Sequence, residues 1–174
     1  MKLTIEILKK DHEKKTFNCG NELLDTYLHK QSGQDARKNL SVCYVLTDKD
    51  IDEKKVLGYY TLSNNSVPWD DWPEELAKKI PKSYAIPTVL LGRLAVDLNE
   101  QGKDFGEILL YSALKKCFES SKQIGIAGVI VDPIDAKAVT FYERYGFVMM
   151  PDVNKMFITI DTLEDLFSQK SSKS

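Results

Sequence analysis

Apolar and polar residues alternate from Met1 to Leu8, a period of two that predicts an opening β-strand. Phe17-Asn18-Cys19-Gly20 then reads as a turn. Asn21 is placed to cap a helix running through Asp25, Leu28 and Gln31, with Leu23, Leu24, Tyr27 and Leu28 as its apolar stripe. Ser41 to Thr47 is rich in β-branched and aromatic residues and predicts a strand. The charged run Asp48 to Lys55 predicts a hairpin tip, and Val56 to Ser66 the returning strand.

Val67 to Thr88 breaks the rhythm, with Pro68, Pro73, Pro81 and Pro87 and both tryptophans, Trp69 and Trp72. One short helix, Glu74 to Ile80, fits inside it. The segment reads either as a functional insertion or as a packed cover over core edges. Val89 to Val96 is a continuous apolar run of the kind found inside a sheet. A helix follows from Gly106, with Ile108, Leu109, Ala113 and Cys117 in one row and Leu110, Leu114 and Phe118 in another. Ile126 to Val131 predicts a buried strand. Asp135 caps a helix reaching Tyr145, where Gly146 suits the left-handed C′ position and Phe147 folds back on the last turn. Met156 to Ile160 is a closing strand and Leu163 to Phe167 a short helix. This order predicts one mixed α/β (α+β) domain over residues 1–168, largely antiparallel in its first half, and a disordered polar tail over 169–174.

At 174 residues, 43% apolar and 29% charged, the chain can bury a core without disulfides or metals. Cys19, Cys43 and Cys117 show no paired spacing and read as reduced, mostly buried thiols; with only His12 and His29 as histidines, neither a nucleophilic cysteine nor a metal site is expected. No apolar run reaches membrane-spanning length, and the expected location is the cytoplasm. A net charge of −2 speaks against a protein that coats nucleic acid non-specifically. The short lysine clusters leave room for a local phosphate-binding face.

The chemistry concentrates at two places. Leu91 to Gly106 joins a buried strand to a helix through a loop with Gly102 and Gly106. Such a loop turns successive backbone N–H groups into one concavity at the positive end of a helix, which suits phosphate oxygens. Further on, Phe141-Tyr-Glu-Arg-Tyr-Gly-Phe147 ends a helix in aromatics and a glycine.

On these residues the chain resembles the GNAT N-acetyltransferases over about Leu3 to Leu166, with Gln101-Gly-Lys-Asp-Phe-Gly106 in the place of their glycine loop. Phe17-Asn-Cys-Gly20 with Leu24-Asp25, Gly58-Tyr-Tyr-Thr-Leu-Ser63 and Leu91-Gly-Arg-Leu-Ala-Val-Asp97 are similar to the GNAT toxins of bacterial toxin–antitoxin pairs. The resemblance implies a GNAT fold, a mainly antiparallel mixed sheet flanked by helices. It implies acetyl-CoA as co-substrate, held by the backbone of Leu94, Ala95 and Val96 and by the amides of Gln101, Gly102, Lys103, Asp104, Phe105 and Gly106. It also implies an aminoacyl-tRNA acceptor, a small ribbon-helix-helix antitoxin as partner, and a homodimer. Asp104 departs from the pattern by replacing the middle glycine. Aspartate tolerates left-handed angles, but at about 6 Å and an effective dielectric of about 20 its charge would cost a diphosphate roughly 3 kcal/mol, less whatever Lys103 and solvent offset.

Tyr142 matches the family's tyrosine and is the candidate general acid, since a phenol of pKa about 10 can protonate a departing thiolate near 8.5; plain aromatic packing is the other reading. No general base stands out, which favours an α-amine acceptor of pKa about 7.7–8.0 over a lysine. Asp97 and Asp132 read as capping or surface carboxylates, or as a relay to water. Arg93, alone in an apolar strand, needs either a carboxylate or a substrate phosphate. Lys38, Lys78, Lys79 and Lys82 are candidates to extend a tRNA-facing patch. Two alternatives stay open at this level: a GNAT enzyme acting on a small amine or a protein N-terminus, and a non-catalytic module that senses acetyl-CoA.

Overall fold

The computed structural model of the chain describes residues 1–171. Seven strands follow the order β1-β2-β3-β4-β5-β7-β6 in a mixed sheet, and contacts group the chain into two compact units.

The first unit is Met1–Ser63 with Gly92–Ala113. β1 (Leu3–Ile7) pairs antiparallel with β2 (Val42–Asp48), and β2 pairs antiparallel with β3 (Gly58–Val67). Between β1 and β2 the chain is helical for longer than its sequence predicts. α1 (Glu22–Thr26) passes into a π-helical turn, Tyr27–Gln31, and then into α2 (Ser32–Arg37). Asn21 caps the start as expected, its Oδ1 accepting the amides of Leu23 and Leu24 at 3.0 and 3.2 Å. Leu23 leaves the expected apolar stripe and is 82% exposed. Leu24, Tyr27 and Leu28 face inward, against a core of Phe17, Cys43, Val45, Val56, Tyr59 and Ala95.

The second unit is Asn64–Leu91 with Leu114–Ser174. Here β4 (Ile86–Val96) begins three residues before the apolar run, Pro87 contributing its carbonyl to the Ala127 amide at 2.8 Å. β4 pairs in parallel with β5 (Gly128–Val131) through Thr88–Leu91; β7 (Met156–Thr159) is antiparallel to β5 and to β6 (Val148–Met149). The proline-rich segment is a packed cover. Its short helix α3 (Glu74–Ala77) and a preceding 3-10 turn bring Val67, Trp72 and Ala77 into a core with Ile86, Ile130, Met150 and Phe157. Trp69 closes the turn by donating Nε1–H to the Ile80 carbonyl at 2.9 Å.

α4 (Phe105–Ser120) buries Leu109, Leu110, Ala113, Leu114 and Cys117 of the expected rows, and Phe105 besides, while Ile108 and Phe118 of those rows are half-buried; α5 (Ala136–Arg144) is capped by Asp135. The last helix, α6 (Ile160–Ser171), is longer than expected at both ends; it starts three residues early, where the Thr159 hydroxyl accepts the Thr162 amide, and runs on past Phe167. Of the tail expected at 169–174, residues 169–171 continue this helix and 172–174 lie outside the described residues.

Candidate active site

The loop between β4 and α4 has the backbone that a phosphate cradle requires. Gly102 has φ +82° and Asp104 φ +62°, with Lys103 between them outside the left-handed region. Alternating hands of this kind turn consecutive amides toward one side. The Ile108 amide bonds the Asp104 carbonyl at 3.1 Å, so Asp104 stands at the threshold of α4, and the first-turn amides of Phe105, Gly106 and Glu107 have no intrahelical acceptor. Asp104 therefore meets the left-handed requirement foreseen for it, with an exposed side chain. Lys103 is held by Glu100 at 2.6 Å instead of standing free to offset the Asp104 charge.

Asp104→Gly relieves left-handed strain and removes a like charge beside a diphosphate. The expected result in calorimetry is coenzyme A binding about three- to tenfold tighter, a gain that shrinks as salt rises. Unchanged affinity at low salt would place the carboxylate outside the diphosphate's field.

The strand residues before the loop divide their roles. Ala95 turns its side chain into the core, so only its backbone remains for a ligand, whereas Leu94 and Val96 are half-buried. The Val96 carbonyl accepts the side-chain amide of Gln101 at 3.0 Å.

Arg93 resolves its need for a partner in a third way. Its guanidinium lies 3.5 Å from the centroid of the Tyr27 ring, and it makes no ion pair among the described residues. Tyr27 donates its hydroxyl to Asp35 at 2.9 Å, and Gln31 donates to the other Asp35 oxygen at 2.9 Å. Burial, followed by the Asp35 contact, pushes the Tyr27 phenol up to about 12. The Gln31 and Tyr27 hydrogen bonds, with the charges of Arg93 and Lys38, hold Asp35 below the usual carboxylate range against its desolvation. Lys38 is exposed in this same unit. Lys78, Lys79 and Lys82 belong to the second unit, where Lys78 pairs with Glu74 and Glu75 and Lys82 sits 5.4 Å from the Trp69 ring.

Tyr142 occupies the last full turn of α5 in the second unit, 8% exposed. The helix ends in a Schellman arrangement. The Phe147 amide bonds the Tyr142 carbonyl at 3.1 Å, the Gly146 amide bonds the Glu143 carbonyl at 3.1 Å, and Gly146 has φ +97°. The Phe147 ring packs 5.2 Å from the Tyr142 ring, with Phe141 at 5.3 Å on another side. The spacing Tyr142-x-x-x-Gly146-Phe147 therefore fixes the tyrosine through its own carbonyl and its ring. Burial raises the phenol above its ordinary pKa, and its hydroxyl makes no hydrogen bond among the described residues.

Other candidate chemistry recedes. All three cysteines are free, and burial raises Cys19 to about 11 and Cys43 and Cys117 to about 12. His29 donates to the Phe17 carbonyl at 2.8 Å, and His12 Nδ1 accepts the Lys9 amide at 2.8 Å. Asp132 pairs with Lys155 at 2.7 Å. Among the described residues no three His, Cys, Asp or Glu side chains gather to hold a metal ion, and no helix is long and apolar enough to cross a membrane. Sequence reasoning missed the Tyr27–Asp35 support beneath Arg93 and the hydrogen bonds of the exposed Gln101 side chain to the Cys19 and Val96 carbonyls. The Phe17-Asn-Cys-Gly motif was the available signal for the second.

The chain is similar to known proteins in sequence and in fold. A tRNA-acetylating toxin of Mycobacterium tuberculosis is 33% identical over 136 residues, 78% of each chain. The crystal structure of a tyrosine-to-phenylalanine mutant of KacT superposes with a TM-score of 0.89 at 32% identity, covering 96% of this chain and 100% of that one. AtaT complexed with acetyl-methionyl-tRNAfMet gives a TM-score of 0.87 at 35% identity, covering 95% and 99%. A mutant AtaT bound to acetyl-CoA and the C-terminus of the antitoxin AtaR gives 0.81 at 32% identity, covering 97% and 100%. Residues 5–147, from β1 through the glycine loop to the Tyr142 helix end, match the acetyltransferase (GNAT) family, and the chain belongs to it.

Proposed function

We propose that this chain transfers the acetyl group of acetyl-CoA to the α-amino group of an aminoacyl-tRNA, and so acts as a translation-blocking toxin. The observation that carries the acceptor is the likeness, over nearly the full length of both chains, to AtaT complexed with acetyl-methionyl-tRNA. The left-handed alternation at Gly102 and Asp104 supports acetyl-CoA as donor. The work divides over one acetyltransferase domain, residues 1–168. Backbone amides of Gln101 to Gly106 hold the diphosphate and those of Leu94 to Val96 the pantetheine arm and thioester oxygen. Arg93, with Lys38, Lys78 and Lys79, meets tRNA phosphates.

The neutral amine attacks the thioester carbonyl carbon, a C–N bond forms and the C–S bond breaks. The thiolate takes the Tyr142 proton, and the proton shed by the amine nitrogen returns to the phenolate through water. No general base is required, because an α-amine of pKa about 7.7–8.0 is partly neutral at pH 7. The place of action is the cytoplasm, where charged tRNA is found, and the restraining partner is a small antitoxin of the kind AtaR represents for AtaT. The acting species is a homodimer.

Incubation with labelled acetyl-CoA and total charged tRNA tests the proposal. Label should enter the tRNA fraction, and mild alkali should release it as N-acetyl amino acid. Label confined to free amines or protein N-termini would replace this acceptor, and no turnover with any amine would leave only a sensing module.

A further inference from the structure

Asp97 closes β4 four residues before the diphosphate loop, and its carboxylate is 4% exposed with no cation paired to it among the described residues. Three N–H groups satisfy it instead. Oδ2 accepts the Asn18 amide at 3.0 Å, while Oδ1 accepts the Asn99 amide at 3.0 Å and the Asn99 side chain at 3.1 Å. The Leu98 amide returns a bond to the Asn18 carbonyl at 2.8 Å. Gln101 completes the contact, its Nε2 donating both to the Cys19 carbonyl at 3.2 Å and to the Val96 carbonyl at 3.0 Å. The distant turn is itself stiff. Asn18 Oδ1 accepts the Gly20 amide at 2.9 Å, Asp25 accepts the Cys19 amide at 2.8 Å, and Gly20 has φ +87° with Leu98 3.2 Å from where a Cβ would stand. The start of the loop is thus bolted on two sides to a turn some eighty residues away in sequence.

An anion at Asp97 is the wrong charge for a residue so near a diphosphate, since like charges repel most where water is excluded. Its hydrogen bonds give it a geometric task instead. We propose that Asp97 and the Gln101 side chain are positioning residues for acetyl-CoA: they clamp the β4–α4 loop to the Asn18–Gly20 turn and so hold its amides in the diphosphate-binding arrangement. The inference rests on the cofactor half of the proposed function.

The direction of one effect decides between charge and geometry. Asp97→Asn keeps the size and the Asn99 bonds but turns an NH2 group toward the Asn18 amide, donor against donor. By calorimetry with coenzyme A, the clamp predicts affinity at least tenfold weaker, whereas loss of a negative charge alone predicts tighter binding. Gln101→Met keeps length and neutrality, removes both donors, and lies at an exposed position that the fold tolerates. It should weaken coenzyme A about fivefold with the melting temperature unchanged, and raise KM for acetyl-CoA without raising KM for the acceptor. Should Asp97→Asn fail to fold, Gln101→Met carries the test. Equal or tighter binding by the folded variants, with the parent binding, overturns the clamp alone. A parent that ignores coenzyme A overturns the proposed function and this inference with it.

Discussion

Tyr142→Phe is expected to lower turnover by about two to four orders of magnitude, the range of a lost general acid, while coenzyme A affinity stays within a few-fold. The substitution removes one oxygen and nothing that supports the fold. The contacts with Phe141 and Phe147 are ring contacts, and the Schellman bonds run through the backbone. The pH profile supplies a second readout. Burial raises the phenol above its ordinary value, so it stays protonated through the alkaline range in which the acceptor amine loses its proton. The parent's kcat/KM should therefore climb through about pH 7.7–8.0 and then level, with no fall from Tyr142. Single-turnover assays of both proteins across that range check this. Equal turnover by the phenylalanine variant would remove Tyr142 from the chemistry.

Arg93→Ala is expected to raise KM for charged tRNA by about ten- to a hundredfold, the size of a lost charge-assisted hydrogen bond of about 1.5–3 kcal/mol. The slope of log affinity against log salt should fall by about one, with coenzyme A affinity unmoved. Stacking is the reason for so large an effect from one cation. A guanidinium 3.5 Å over the Tyr27 ring is oriented before any phosphate arrives, so less entropy is lost on binding than with a flexible surface lysine. Arg93→Lys keeps the charge without the planar stack and should recover only part of the loss. Filter binding of charged tRNA at several salt concentrations measures all three proteins. A salt slope unchanged by Arg93→Ala would mean that no phosphate is met there.

The features legible in the sequence were those set by local periodicity or by a residue with one physical use. The alternation of β1, the Asn21 and Asp135 caps, the rows of α4 and the Gly146 finish all belong to that group. So did the left-handed demand on Asp104, which follows from the place it takes in a glycine loop. The helical stretch after Asn21 was legible as far as Gln31, but its continuation to Arg37 was not, because the π turn breaks the period that would reveal it. Tyr27 and Asp35 are eight residues apart, which on an unbroken α-helix puts them about 80° apart. One inserted residue cancels most of that angle and lets the phenol reach the carboxylate. Asp97 and Gln101 escaped for a different reason. Their partners lie about eighty residues away, and no spacing rule links a turn to a loop across three intervening strands.

At the Tyr142 helix end, the ring and backbone that hold the fold are separate from the hydroxyl assigned to the proposed chemistry. The hydroxyl carries no share of the fold, so its loss is expected to stop the proposed proton transfer while leaving the structure intact. Under the proposed function, a chain lacking that oxygen would keep the surface an antitoxin recognises and would serve as an inert decoy for one.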